Sequence, residues 1–199
     1  MGEVETISDA QLELRYWPHW LPADAAWEAY ARLRDEIAWE QGEVKLFGKT
    51  YKEPRLSAWY GDQQAVYTYS GKTLAPKPWT PLLLELKDKL EAQTGTAFNS
   101  VLLNLYRDGL DSMGAHSDNE PELGPEPAIA SLSLGAVRRF VLRHKREHTR
   151  RHELLLAHGS LLLMSGPTQQ HWKHSLPKTK GVDQPRINLT FRKQVTSNS

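Results

Sequence analysis

His116 and Asp118 are separated by one residue, and His158, His171 and His174 follow downstream. On extended backbone alternate residues share a face, so His116 and Asp118 can reach one metal ion together. Two imidazoles and one carboxylate on one side of an iron leave the opposite positions open for substrate and oxygen. The third ligand must come from His158, His171 or His174, and spacing does not choose among them. Further on, Arg186, Asn188, Thr190 and Arg192 alternate with Ile187, Leu189 and Phe191. Two guanidiniums on one face of a strand suit the bidentate clamping of a small dicarboxylate. Asn104 and Tyr106 likewise share a face of an earlier strand-like run. Each pattern alone reads as ordinary sheet with a wet face. Their combination predicts a non-haem iron oxygenase that uses 2-oxoglutarate as co-substrate.

Competing chemistries lack their residues. Gly-rich phosphate loops, a G-x-S-x-G nucleophile elbow and a His-Glu-x-x-His zinc motif are absent. A metal hydrolase built on His116, Asp118 and His174 is an alternative, but it leaves Arg186 and Arg192 without a task. The chain has no cysteine, which excludes disulfides and thiolate metal sites.

Its 199 residues suffice for one domain with a real core. The net charge of +1 argues neither for nucleic acid nor against it, but the charge is unevenly spread. Residues 1–40 hold nine acids against three arginines, whereas residues 138–152 hold seven Arg or Lys against Glu147. Such a basic run is either a solvated face or a phosphate-contacting patch. The polar, acidic opening is no secretory signal, and the apolar stretch from Glu153 to Met164 is too short to span a bilayer.

The elements that must position these residues are legible in outline. Pro22 and Asp24 open a helix with Trp27, Tyr30, Leu33 and Ile37 at near-helical spacing. Thr80-Pro81 is a cap and first-turn pair for a second helix, with Leu83, Leu86 and Leu90 on one face and Gly95 as its stop. Residues 44–70 read as short strands and hairpins. From Phe98 onward the expected strands are 98–106, 128–134, 137–143, 153–157, 160–165 and 186–193. The fold class is therefore α+β, mainly β: a double-stranded β-helix, or jelly roll, with N-terminal helices covering one outer face.

A set of longer motifs resembles the AlkB family of Fe(II)- and 2-oxoglutarate-dependent dioxygenases. They are Asn104-Leu105-Tyr106-Arg107-Asp108-Gly109, His116-Ser117-Asp118, Ile129 to Gly135, Arg143-His144-Lys145, Leu156 to Ser160, His171 to Pro177 and Arg186 to Arg192. Upstream, Leu46 to Lys49, Pro54-Arg55, Tyr60 to Asp62 and Tyr67 to Gly71 extend the likeness, which covers about residues 44–194. The subgroup it is most similar to contains the second human DNA-repair homologue.

The resemblance implies one dioxygenase domain over residues 1–199, with a nucleotide-recognition lid at about 44–75 and a catalytic core at about 98–194. It implies Fe(II) on His116, Asp118 and His174, because His174 directly precedes Ser-Leu-Pro. It implies 2-oxoglutarate on Asn104, Tyr106, Arg186, Asn188, Thr190 and Arg192, with O2 as the oxidant. For substrate it implies Phe47 as a finger filling the gap left by a flipped base, with Arg55, Tyr67, Tyr69, Ser70, Glu120, Arg143 and Lys145 around base and backbone. The implied activity is oxidative demethylation of 1-methyladenine and 3-methylcytosine in DNA repair, releasing formaldehyde, succinate and CO2. The alternatives are an RNA demethylase of the same family, or a 2-oxoglutarate oxygenase acting on protein or small molecules. The expected partner is methylated DNA, with no membrane and a monomeric enzyme, cytoplasmic in a bacterium and nuclear in a eukaryote. Asn119 departs from the acid expected beside the iron aspartate, which bears on base preference rather than on the reaction.

Overall fold

Period-two alternation dominates the chain, and it folds into two facing sheets. The structure, a computed structural model, describes residues 3–46, 48–65, 67–69 and 72–195. Among these, the larger sheet has the order β1 (Glu5–Asp9), β2 (Leu12–Trp17), β13 (Ser160–Ser165), β10 (Ile129–Gly135), β15 (Arg186–Arg192), β8 (Ser100–Tyr106) and β5 (Leu56–Gly61). The smaller has the order β12 (Arg151–Leu156), β11 (Arg138–His144), β14 (Trp172–Leu176) and β9 (Met113–His116). All pairings between these strands are antiparallel. Two further hairpins pair β3 (Glu43–Leu46) with β4 (Lys49–Lys52), and β6 (Tyr67–Tyr69) with β7 (Lys72–Leu74).

Alternation splits the core in two. Leu103, Leu132, Leu161, Leu189 and Phe191 face outward from the larger sheet and are buried under two helices. Helix α1 (Ala23–Glu36) contributes Ala26, Ala29, Tyr30 and Leu33; helix α2 (Pro81–Thr94) contributes Leu82, Leu83, Leu86 and Leu90. The Thr80 hydroxyl accepts from Leu83 N at 3.3 Å, and Gly95 ends α2 at φ 71°. Leu12, Leu14, Phe140, Leu142, Leu162, Met164 and Trp172 fill the space between the sheets. Each such side chain contributes about 1.5–3 kcal/mol through burial. The site lies at one end of that inner layer, where polar residues replace leucines.

The strands expected from Phe98 onward appear, each to within two residues at either end. Three features differ from the sequence reading. Trp27, expected on the core face of α1, is 52% exposed and stacks on His158 with centroids 4.0 Å apart. Residues 56–61, within the expected lid, form the edge strand of the larger sheet. The hairpin β1–β2 and the strands β9 and β14 are additional. The β1–β2 hairpin joins the sheet through β13, where Leu14 pairs with Met164 and Tyr16 with Leu162. That partner lies some 150 residues away, and burial of Leu12, Leu14 and Tyr16 depends on it.

Candidate metal centre and co-substrate pocket

Two neighbouring strands of the smaller sheet and one loop assemble the metal ligands. His116 ends β9 and His174 lies in β14, directly opposite it in register. Asp118 follows in the loop, anchored at its backbone: its N–H donates to Gln169 Oε1 at 2.9 Å, and the Ser117 hydroxyl donates to Trp172 O at 2.8 Å. His116 Nε2 stands 3.8 Å from Asp118 Oδ1, and His174 Nε2 stands 3.7 Å from Asp118 Oδ2. One ligand atom from each residue lies within 4.8 Å of the others.

The protonation states suit a divalent cation. His116 Nδ1 donates to Gly114 O at 2.9 Å, which leaves the Nε2 lone pair free toward the site. Burial lowers the pKa of His174 to about 4, so its imidazole is neutral at neutral pH. Burial alone would raise the Asp118 carboxyl, but Arg192 and the two imidazoles outweigh it and hold the pKa below its ordinary value. One carboxylate and two imidazoles on one side of a small space fit Fe(II). Sequence spacing left three histidines open. His171 stacks on His144 with centroids 6.2 Å apart, and His158 lies under Trp27 with Nδ1 accepting from Gly135 N at 2.8 Å. The fold brings neither to Asp118.

Behind the triad a cavity of about 230 Å³ opens between the sheets. Its floor is the inner face of β8 and β15, whose register sets Arg186 against Tyr106 and Asn188 against Asn104. Arg186, 1% exposed, donates to Ser133 Oγ at 2.9 Å and to Asn188 Oδ1 at 2.8 Å. Its Nε has no partner, and none of the described carboxylates pairs with it. Burial pulls its pKa down to about 10, so it is still a cation at neutral pH. An uncompensated buried cation is costly, and a bound carboxylate would offset that cost. The guanidiniums of Arg186 and Arg138 both stand over the Tyr106 ring, at 5.4 and 5.8 Å from its centroid. Thr190 Oγ1 accepts from Asn188 Nδ2 at 2.8 Å, which orients that amide. Arg192 stands at the metal end, where it donates to Asp118 Oδ1 at 2.5 Å.

The mouth carries the remaining expected residues. Glu120 lines the cavity, and its buried Oε2 has no partner. Arg55 also lines it, donating from Nε to Asn104 Oδ1 and from NH2 to Glu53 Oε1, both at 3.0 Å. Lys145 donates to Gln169 O at 2.8 Å, and Arg143 is exposed on the outer face of β11. Phe47 and Ser70 lie outside the described residues, as do the side chains of Tyr67 and Tyr69. Arg138 carried no functional signal beyond its place in the basic run. It is buried, and donates to the carbonyls of Asp108, Asp111 and Pro177 at 3.0, 2.8 and 2.9 Å. It thereby ties the loop between β8 and β9 to the loop that follows β14. Gly109 packs there so closely on the Thr179 and Val182 carbonyls that a Cβ would clash with both.

The model of the 2OG-Fe(II) oxygenase superfamily matches residues 13–192. The chain is 48% identical over 176 residues to the DNA oxidative demethylase ALKBH2 of Homo sapiens, covering 83% of this chain and 67% of that one. It is 46% identical over 179 residues to the alpha-ketoglutarate-dependent dioxygenase alkB homolog 3 of Bos taurus, covering 85% and 61%. It thus spans about two thirds of the length of these relatives. The solved structure of OsALKBH1 superposes with a TM-score of 0.64 over 94% of this chain and 100% of that one, at 16% identity, and so shares the fold. With an arginine-lined cavity beside a His-Asp-His triad, and relatives of this similarity over most of its length, the chain belongs to the AlkB family of Fe(II)- and 2-oxoglutarate-dependent dioxygenases.

Proposed function

We propose that this enzyme demethylates alkylated bases in DNA, with 1-methyladenine and 3-methylcytosine as substrates and repair of alkylation damage as its role. The single observation that carries the co-substrate half is Arg186, a buried cation among the described residues with no carboxylate partner and a free Nε. The relatives' names, DNA oxidative demethylase among them, support the substrate half.

His116, Asp118 and His174 would hold the iron. Arg186, with Ser133 and Asn188 steering its guanidinium, would take the far carboxylate of 2-oxoglutarate, and Arg192 would stand near its other end. When bound, Fe(II), O2 and 2-oxoglutarate supply the oxidation that hydroxylates the N-methyl carbon, with succinate and CO2 released and formaldehyde lost from the product. Glu120 Oε2 would accept from the exocyclic amino group that both adenine and cytosine carry. A methylated base must leave its stack to reach an enclosed metal, so the substrate is a flipped base, and a monomer suffices to hold it.

The test is formaldehyde release from methylated single-stranded DNA, duplex DNA and RNA, with iron and 2-oxoglutarate present or omitted. Release from DNA that needs both is the expected result. Release from RNA alone would move the enzyme to an RNA role. Turnover of 2-oxoglutarate with no release from any of the three would end the nucleic-acid reading.

A further inference from the structure

The register of the smaller sheet lines up three cations. Arg143 of β11 pairs with Lys173 of β14 on one side and with Arg151 of β12 on the other. All three are exposed, on the face of the sheet opposite His174. Like charges directly opposite across strands are destabilising, so this alignment works against the fold unless something anionic covers it. Neither Arg143 nor Lys173 has an ion pair among the described residues. The carboxylate on this face, Glu153, is shared by Arg151 and Arg139. The helices behave differently: Arg32 pairs with Glu36, Lys87 with Glu91 and Lys89 with Glu85, each one turn away. Lys145 does not belong to the row, because its ammonium is committed to the Gln169 carbonyl.

The row is continuous with the site. Lys173 immediately precedes His174, and His174 is paired with His116 on the neighbouring edge strand β9. The row therefore starts one strand in from the edge that carries the half-buried His116, and runs away from it across β14, β11 and β12. Strands lie about 4.8 Å apart, so the Cα atoms of Lys173 and Arg151 are separated by about 10 Å. Phosphates along one duplex strand rise by about 3.4 Å each along the helix axis and lie further apart along the backbone, so cations spread over this span can face a short run of successive phosphates.

We propose that Lys173, Arg143 and Arg151 form a track for the phosphates of one nucleic-acid strand, leading across the outer face of the smaller sheet from the edge that bears the metal site. The inference rests on the nucleic-acid reading above and extends it to a surface that holds the strand beyond the target base. Phosphate contacts carry no sequence information, so the track binds methylated and unmethylated strands alike. Sequence proximity marked Arg143 and Arg151 as parts of a basic run. Lys173 lies outside that run, and only the sheet register adds it.

The experiment measures binding of an unmethylated single-stranded oligonucleotide by fluorescence anisotropy across a salt series, without iron or 2-oxoglutarate. The proteins are wild type, Arg143→Gln, Lys173→Gln, Arg151→Gln and the triple variant. Each single substitution is expected to flatten the slope of log affinity against log salt by about 0.7, and the triple by about 2. The melting temperature of the triple should be unchanged or raised, because repulsion across the strands is relieved. A triple variant with the wild-type slope overturns the track. So does an equal flattening when Arg32, Arg34 and Lys89 of the helices are changed to Gln instead, since net charge would then be the whole effect. Binding of anionic phosphatidylserine vesicles that the triple variant loses, with oligonucleotide binding kept, would reassign the surface to membranes. A wild-type protein that binds no oligonucleotide at all defeats the nucleic-acid reading itself, a result distinct from failure of the track.

Discussion

The guanidinium of Arg192 donates to Asp118 Oδ1 at 2.5 Å, so the end of the arginine strand is joined to the carboxylate of the metal triad. Arg186, three alternations earlier on the same face, bonds to Ser133 and Asn188 instead. The two arginines therefore have different duties, although the strand pattern presents them as equivalents.

Their lysine variants should separate those duties. Lysine keeps the charge but loses the fork. Arg192→Lys should weaken metal binding about 10- to 100-fold in the absence of 2-oxoglutarate, as loss of a group that orients a ligand does. Arg186→Lys should leave metal affinity alone and raise the 2-oxoglutarate requirement at least about tenfold. Metal titration by equilibrium dialysis, followed by co-substrate titration by calorimetry, measures both. Unchanged metal affinity in Arg192→Lys would show that the Asp118 contact does not orient the ligand.

His174→Ala should abolish metal binding while His171→Ala retains it. The pair is a close control, since the residues are three apart and both are aromatic neighbours of buried groups. The readout is bound iron per chain under anaerobic conditions. Loss in the His171 variant with retention in the His174 variant would require a different ligand set.

Arg138→Met should destabilise the fold by about 3–5 kcal/mol, because the carbonyls of Asp108, Asp111 and Pro177 lose a buried donor that nothing else replaces. The midpoint of urea denaturation, at unchanged slope, reports it. A cost under about 1 kcal/mol would mean that the two loops hold together without this side chain.

Stability should also fall in acid through Asp111. Burial would raise its carboxyl pKa, but two hydrogen bonds from the Arg107 side chain and one from Arg107 N outweigh burial and hold it below 3.8. A carboxyl with a depressed folded-state pKa is stabilising above its unfolded value and loses that contribution as pH falls through the folded one. Asp111→Asn should therefore cost about 1–3 kcal/mol at neutral pH, and the gap from wild type should begin to narrow as the pH falls below about 4 and close only below the depressed folded-state pKa. Denaturant midpoints at a series of pH values measure the gap. A difference that persists undiminished in acid would assign the effect to packing rather than charge.

The sequence by itself determined the local features. Alternation in Arg186–Arg192 placed four polar side chains on one face, Thr80-Pro81 and Gly95 bounded α2, and the single residue between His116 and Asp118 allowed both to reach one ion. These depend on neighbours a few positions away, which strand pleat and helix capping make readable. Motif resemblance added the choice of His174, which spacing could not supply. The tertiary structure decided what depends on register between distant strands. It set His174 opposite His116, turned Arg192 onto Asp118, and joined the N-terminal hairpin to β13. It also put Lys173 in line with Arg143 and Arg151. Register is fixed by which apolar faces are buried together, and slipping a strand by one residue would turn every side chain to the other face. No single strand carries that information, since burial in the layer between the sheets is a property of all of them packed at once.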